Sequence, residues 1–564
     1  MFLLAAFAPG RAAEQLNQQD VFKIVQQAAS EASRTDPNAI IAVTDREGFL
    51  LALWDVKGRI FSPVPPFLPP PFPKVIPRVP SLVTANFKLY SLFGGAITRA
   101  STAAFLSSNQ EALTSRTAGY IIQQHFPVGV RDSSNGPLVG VGLSSLFFTD
   151  VNRVKLIPPG FDGTALVSPV TSPGVRAPLL VPTTLNDSPG GVPLYKNDEL
   201  VGGIGVTGDG SPTDLAPAGA IVFKESQNKY TSGFKSGHDT DEDVAIAGQT
   251  GYRPSNSIIA TNILIGGIRI PYIYKNASDI KDVKDVKSLS TLGHAVDIPI
   301  PGSLAVASGT PQASPEPYPY ERTKLGGVDG EIRFPIRDDP LINVPGRSGV
   351  GGRAARLSAA EVRSILSKSA TQADKTRAGI RLPVGTPSKN FIAVVNNPEK
   401  AGEAPAILGV FRTGEATIFS WDVAVQKART AVFFSNSQLA MSSRTVGFLA
   451  ERYFPPGIDG NPPGPFFGFQ EAVSLKRDPV HQFFPGDSNL PNGITIFPGG
   501  FPLYRHGQLI GAIGVSGDGI DQDDIIAVAG TVDFLPSTNI RADHYTYHNA
   551  RLPYAKFPRD PDIH

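Results

Sequence analysis

The sequence predicts an α+β fold in which one antiparallel sheet, packed by helices, is built twice along the chain. Internal repetition is the first observation behind this. Residues 100–129 (ASTAAFLSSNQEALTSRTAGYIIQQHFPVG) align without a gap on 428–457 (ARTAVFFSNSQLAMSSRTVGFLAERYFPPG). A block from Gly190, GGVPLYKNDELVGGIGVTGDG, returns from Gly499 as GGFPLYRHGQLIGAIGVSGDG, and DEDVAIAG from Asp241 returns as DDIIAVAG from Asp523. The order is the same in both halves, so the chain is a duplication. The second observation is apolar periodicity, helical at the head of each copy and strand-like after it. The third is turn chemistry at matching places in both copies.

Asn17-Gln-Gln-Asp20 and Ser358-Ala-Ala-Glu361 read as helix N-termini, the second as a capping box. Val21, Ile24, Val25, Ala28 and Ala32 follow at helical spacing, as do Val362, Ile365, Leu366, Ala370 and Ala373. Next come β-branched runs, IIAVTD at Ile40 and FIAVVN at Phe391. Second apolar runs, Phe49–Trp54 and Ile407–Phe411, complete hairpins, tight in the first copy through Asp45-Arg-Glu-Gly48 and longer in the second. The two PLY blocks are further hairpins that turn at Asn197-Asp198 and His506-Gly507. A closing helix starts among the Asp residues near 241 and 523, since Asp favours the cap and first turn. Each copy thus reads helix, hairpin, helical middle, hairpin, helix.

Composition bounds the function. The 564 residues carry 51 Lys+Arg against 50 Asp+Glu, a net charge of +1 that leaves no electrostatic footprint for nucleic acid or an anionic membrane. At 41% hydrophobic and 18% charged residues, the chain supports packed cores rather than disorder. With Cys 0, disulfides, zinc fingers, iron–sulfur clusters, covalent c-type haem and cysteine nucleophiles are excluded. No apolar run approaches the ~20 residues needed to span a bilayer.

The copies occupy 17–275 and 356–564. Insertions interrupt the first at 62–80 (proline-rich, SPVPPFLPPPFPKVIPRVP), 131–187 and 211–238, and 276–355 reads as a Pro-, Gly- and charge-rich linker. Residues 1–16 read as the remnant of a secretory signal, with apolar Phe2 to Ala8 followed by small residues leading to Glu14. That implies a periplasmic or extracellular protein.

The string GG-x-PLY-x(4)-L-[VI]-G-[GA]-IGV-[ST]-GDG, with the Asp-rich helix start and Ala-Gly after it, resembles the haem-binding GlcG/HbpS-like domain family. A strand ending in Asp45, Lys427-Ala-Arg-Thr430-Ala and Arg99-Ala-Ser-Thr102-Ala extend the likeness upstream. The resemblance implies a profilin-like sheet, here in tandem and so forming the family dimer as an intrachain pseudo-dimer, with the capacity to oligomerise further. It implies non-covalent binding of haem or a related tetrapyrrole for storage, delivery or sensing. The sequence departs from the pattern at Arg99, in place of Lys, and at Asn396, in place of the hairpin Asp. It also reads Trp54-Asp55 where the second copy keeps Arg412. A second reading is a structural or interaction subunit that docks a protein partner through the insertions.

Under this resemblance Arg99 with Thr102, and Lys427 with Thr430, stand at a helix start. There a cation, a hydroxyl and free backbone N–H groups would hold a carboxylate such as a haem propionate. The alternative is a Thr cap beside a solvated cation. Arg116 and Arg444, in the repeated Ser-Arg-Thr, pair with a carboxylate of the ligand or of the protein. Haem iron would need an axial ligand, for which Tyr195, Tyr504, Met441, His481 and His506 are the candidates. Gly203-Ile-Gly205-Val-Thr-Gly208 fits G-x-G-x-x-G but lies inside a strand, where close packing of a helix or partner explains it better than a nucleotide. Asp239, Asp241 and Asp243 have the opening spacing of a calcium loop, but Val244 stands where such a loop needs Gly, so helix N-terminal charge is the better account. No catalytic motif is present: there is neither G-x-S-x-G nor H-E-x-x-H.

Overall fold

The computed structural model describes residues 14–59, 82–141, 185–208, 237–275, 280–299, 306–307, 309–314, 320–344, 356–383, 385–398, 400, 403–470 and 493–556. In the first unit α1 (Gln18–Thr35) starts at a complete capping box, in which Asn17 and Asp20 bond each other's backbone N–H. Its buried face is the one the spacing predicts: Val21, Ile24, Val25, Ala28 and Ala32. Strands β1 (Ile40–Asp45) and β2 (Leu50–Asp55) form the tight hairpin. The Asp45 carboxylate closes its turn by accepting from the N–H groups of Glu47 and Phe49, both at 2.9 Å. Helices α2 (Leu82–Leu106) and α3 (Ser115–Ile121) form the helical middle. Strands β3 (Gly191–Lys196) and β4 (Glu199–Thr207) then turn back through Asn197 and Asp198, both at positive φ as a two-residue hairpin turn requires. Helix α4 (Thr240–Gly248) closes the unit under an Asp239 cap.

Between the units the chain forms short strands. These are β5 (His294–Ala295), a small ladder of β6 (Ile298–Pro299) with β7 (Val306–Ala307), and the hairpin β8 (Glu321–Leu325) with β9 (Val328–Phe334). The second unit repeats the first. Helix α5 (Ala359–Lys375) starts at the Ser358/Glu361 capping box, β10 (Phe391–Asn396) and β11 (Ile407–Thr413) form the longer hairpin, and α6 (Phe419–Phe433) and α7 (Ser443–Leu449) follow. Strands β12 (Gly500–Arg505) and β13 (Gln508–Ser516) turn at His506-Gly507, and α8 (Ile520–Gly530) closes it. A last ladder pairs β14 (Thr546–Tyr547) with β15 (Ala550–Arg551).

The sheets have matching cores. One runs β3-β4-β1-β2-β5 and the other β12-β13-β10-β11-β9-β8, with every pairing antiparallel. Even the irregularities repeat: a bulge falls after Val43 and after Val394, and another after Leu194 and after Leu503. Strands β1, β2, β10 and β11 are buried along their whole length, because α2 or α6 covers one sheet face and the flanking helices cover the other.

Two expected boundaries shift. The stretch 276–355, read as a linker, supplies β5 to the first sheet and β9 with β8 to the second. Charged residues alternate along β9 (Asp329, Glu331 and Arg333), and β8 beyond it is the sheet edge, which tolerates polar side chains that a buried strand would not. Residues 14–16, assigned to the signal remnant, join the first unit: Leu16 is buried and its carbonyl accepts from Ser314 N–H at 2.8 Å. The insertion 62–80, most of 131–187 and 211–238, and residues 1–13 lie outside the described residues.

The units touch through buried charges. Glu47, in the β1–β2 turn, pairs with Arg412 of β11 (2.7 Å) and Arg333 of β9 (3.2 Å), and Glu331 pairs with both arginines. Arg381, between α5 and β10, donates to the Phe105 and Ser107 carbonyls (2.9 and 2.8 Å) and pairs with Asp518 (3.2 Å). His125 Nε2 lies 2.7 Å from Asp459 Oδ1, and the Asn135 amide donates to Glu451.

Candidate ligand site

The candidate cations lie inside helices. Arg99 falls well within α2 and Lys427 within α6, where backbone N–H groups are already bonded. This corrects the expected helix start. Apolar residues upstream (Phe93, Ala96 and Ile97; Trp421, Val423 and Ala424) are buried at helical spacing, so both helices begin far earlier.

Each cation meets an acid of its own unit. Arg99 Nη1 lies 2.7 Å from Asp241 Oδ2 and also donates to the Val206 carbonyl. Lys427 Nζ lies 2.7 Å from Asp523 Oδ2 and donates to the Val515 carbonyl at 2.8 Å. All four side chains are buried. Burial pushes the Asp523 carboxyl up to about 7 against the pull of Lys427, and the same burial pulls the Lys427 ammonium below its usual range.

The repeated glycine pair is what lets the chain pass over this ion pair. Gly190 and Gly499 sit at φ +114° and +112°. A Cβ on Gly190 would lie 2.9 Å from Asp241 Cβ and 3.1 Å from Arg99 Nη1; on Gly499 it would lie 2.9 Å from Asp523 Cβ and 3.2 Å from Lys427 Nζ. A Cβ on Gly191 or Gly500 would overlap the carbonyl of Arg99 or Lys427.

The other paired residues build the same frame. Arg116 grips Glu242 with two hydrogen bonds (2.8 and 3.0 Å), and Arg444 bonds Asp524 (2.8 Å) and Asp521 (2.7 Å). The Thr102 hydroxyl accepts from Asn186 N–H (2.7 Å) and donates to the Thr98 carbonyl (2.7 Å); Thr430 accepts from Thr495 N–H (3.0 Å). The threonines thereby pin the chain as it enters β3 and β12. Asp241 and Asp523 were not singled out as partners of these cations from the sequence, although both repeat at fixed spacing.

Of the axial candidates, Tyr195 and Tyr504 are buried and donate to the carbonyls of Ser108 (2.6 Å) and Asn436 (2.7 Å). Burial raises both phenols above their usual range, which disfavours a tyrosinate ligand. Met441 is in the core. His506 is exposed in the β12–β13 turn, and His481 lies outside the described residues.

The remaining motifs find structural roles. A Cβ on Gly203 or Gly205 would overlap the carbonyl of Ala100 or Ala96, so the first two G-x-G-x-x-G glycines admit α2 onto β4, and Gly208 gives room to Asp36 and Ala39. Gly514 likewise admits α6 onto β13. Asp239 caps α4, Asp241 holds Arg99, and Asp243 pairs with Lys275 and His238. Among the described residues no group of three or more His, Asp or Glu is gathered to hold a metal, and no helix is long and apolar enough to cross a membrane.

Set against haem, the named cations, hydroxyls and phenols do not fit as direct contacts in the state described. Every one is buried or turned to a protein partner, so the arrangement positions backbone rather than presenting free donors.

Residues 399–531 match the model of a family described as haem degrading protein HbpS-like. Three solved structures are similar to the chain, each at low overall superposition. A PduOC:heme complex has 19% identity over 32% of this chain and 97% of that chain, with a TM-score of 0.22. The Klebsiella pneumoniae protein ORFY has 19% identity over 31% of this chain and 88% of that chain, with a TM-score of 0.21. A double mutant of HbpS from Streptomyces reticuli has 20% identity over 31% and 86%, with a TM-score of 0.19. No curated protein matches the chain.

Proposed function

We propose, on the premise that residues 399–531 form an HbpS-like domain, that this chain binds haem or a related tetrapyrrole non-covalently and without catalysis. The family match supports the haem part of the reading, and the first unit adds to it by repeating four strands of the second in the same order. Storage, delivery or sensing in a periplasmic or extracellular compartment is the role that follows. Arg99 and Lys427 then shape the site from within by packing against the two glycine pairs, and Thr102, Arg116, Thr430 and Arg444 brace the frame around them. His506 and His481 stand as the axial candidates. Haemin titration of the apoprotein, followed at the Soret band, tests the reading. It predicts a saturable shift at micromolar haem, and His506→Ala and His481→Ala identify an iron ligand by the change in band position.

A second reading has its own observation. Cations that would greet a ligand are already neutralised inside the protein, and buried charges bridge the units. On this reading the pseudo-dimer is a scaffold for a protein partner. Haemin would then leave the melting temperature unmoved.

A further inference from the structure

Titratable side chains stand at three of the contacts between the units. At the first, residues 107–114 of the first unit meet the 376–390 connection of the second. Arg381 donates to the Phe105 and Ser107 carbonyls, and its own carbonyl accepts from the Ser108 hydroxyl at 2.6 Å. Glu111, only 7% exposed, lies in this contact and faces both Arg381 and Asp518. Asp518 is buried in turn, paired with Arg381 and facing Glu415.

At the second contact the Asn135 amide reaches across to Glu451. Among the described residues no ion pair answers Glu451, and its neighbour Arg452 lies over the rings of Tyr453 and Phe467 instead. At the third, Asp459 Oδ1 lies 2.7 Å from His125 Nε2 and Asp459 Oδ2 lies 3.5 Å from Arg131 Nε. Asp132 accepts from the Asp459 N–H at 2.8 Å, and the Tyr453 ring lies 6.4 Å from the imidazole.

Each contact holds best with its proton in place. Burial, helped by Asp518 and opposed by Arg381, pushes the Glu111 carboxyl up to about 7. Burial also pushes Glu451 up to about 7, against the pull of the Asn135 hydrogen bond. His125 and Asp459 form an ion pair only while the imidazole is protonated. Losing these protons adds two negative charges to the seam and removes a positive one, beside the acids Asp518 and Asp459. Glu47, paired with Arg412 and Arg333, holds the units together elsewhere.

We propose that the seam between the units is a latch worked by protons: closed while Glu111, Glu451 and His125 are protonated, it releases as they lose their protons, and the units part about the Glu47–Arg412 anchor. Both carboxyls hold their protons more tightly closed than open. Their share of the closed state is therefore present at acid pH and lost as pH rises from about 4.5 through about 7. For each carboxyl, that interval lowers the closed-to-open ratio by up to about 300-fold. Each unit keeps a core of its own, α2 on β4 and β1 in the first and α6 on β13 and β10 in the second, so parting does not require unfolding.

The cysteine-free chain allows a direct test by spin labelling. Phe22→Cys and Leu535→Cys, 44% and 57% exposed on different units, carry nitroxides whose separation is read by pulsed double electron–electron resonance. At pH 6 one narrow distance is expected. At pH 8.5 a longer, broader population should hold at least about half of the signal. Glu111→Gln with Glu451→Gln should keep the narrow distance at both pH values, and His125→Gln should bring release to lower pH. If the double variant does not fold, Glu451→Gln alone should raise the pH of release. One distance at both pH values in the parent, or release by the double variant as in the parent, would overturn the proposal. Loss of the helical circular dichroism signal at pH 8.5 would overturn it too, since the units would then be unfolding rather than parting.

Discussion

Lys427, expected at a ligand, is held instead in the frame of the protein by Asp523. Removing one partner of a buried pair leaves the other charge uncompensated, whereas removing both is far milder. Lys427→Met should therefore lower stability by about 3–5 kcal/mol in urea unfolding, and Lys427→Met with Asp523→Leu should recover most of that loss. The residues themselves were legible, because Lys or Arg, Thr, Arg and Asp recur at fixed spacing in both copies. Their contacts were not, since Arg99 and Asp241 meet across two helices far apart in sequence.

Glu111 gives a second prediction at this scale. Burial, with Asp518 nearby, pushes its carboxyl up to about 7, although Arg381 opposes the shift. A folded-state value above the unfolded one means that the folded chain holds its proton more tightly. The associated stability is present at acid pH and is lost as pH rises from about 4.5 through about 7. Glu111→Gln should flatten that fall, by roughly 1–3 kcal/mol between pH 5 and pH 8, in unfolding curves taken at both values. Its counterpart in the second copy is Leu439, so no repeat signal marked it.

At the scale of elements, small residues decide how closely a helix sits on its sheet. Gly205→Ala and Gly514→Ala would drive a methyl group into α2 or α6 and should each cost about 1–3 kcal/mol, read as a drop in melting temperature. Gly94→Ala, in the same α2 with open space around it, should gain about 0.5–1 kcal/mol. The sequence located these elements well: capping boxes, β-branched runs and two-residue turns stand where local chemistry puts them. It failed where polar strands pair at an edge. Glu321–Leu325 and Val328–Phe334 lack an apolar run, and the pairing of the second strand with β11, and of the first with the second, is decided by tertiary contact.

At the scale of the molecule, two sheets that share the order of four strands are joined through buried charges, with Glu47 among them. Glu47→Ala leaves Arg412 and Arg333 to share Glu331, and should destabilise the chain by about 3–5 kcal/mol in thermal or urea unfolding. With Cys 0, any haem is held without a thioether bond or a thiolate ligand, so binding must appear as a reversible equilibrium. The most direct measurement is therefore haemin titration of the full chain under reversible conditions. A Soret shift that saturates at micromolar haem, with no more than one haem per unit, is the predicted result. Absorbance that grows linearly without a plateau, as free haemin does, would contradict it.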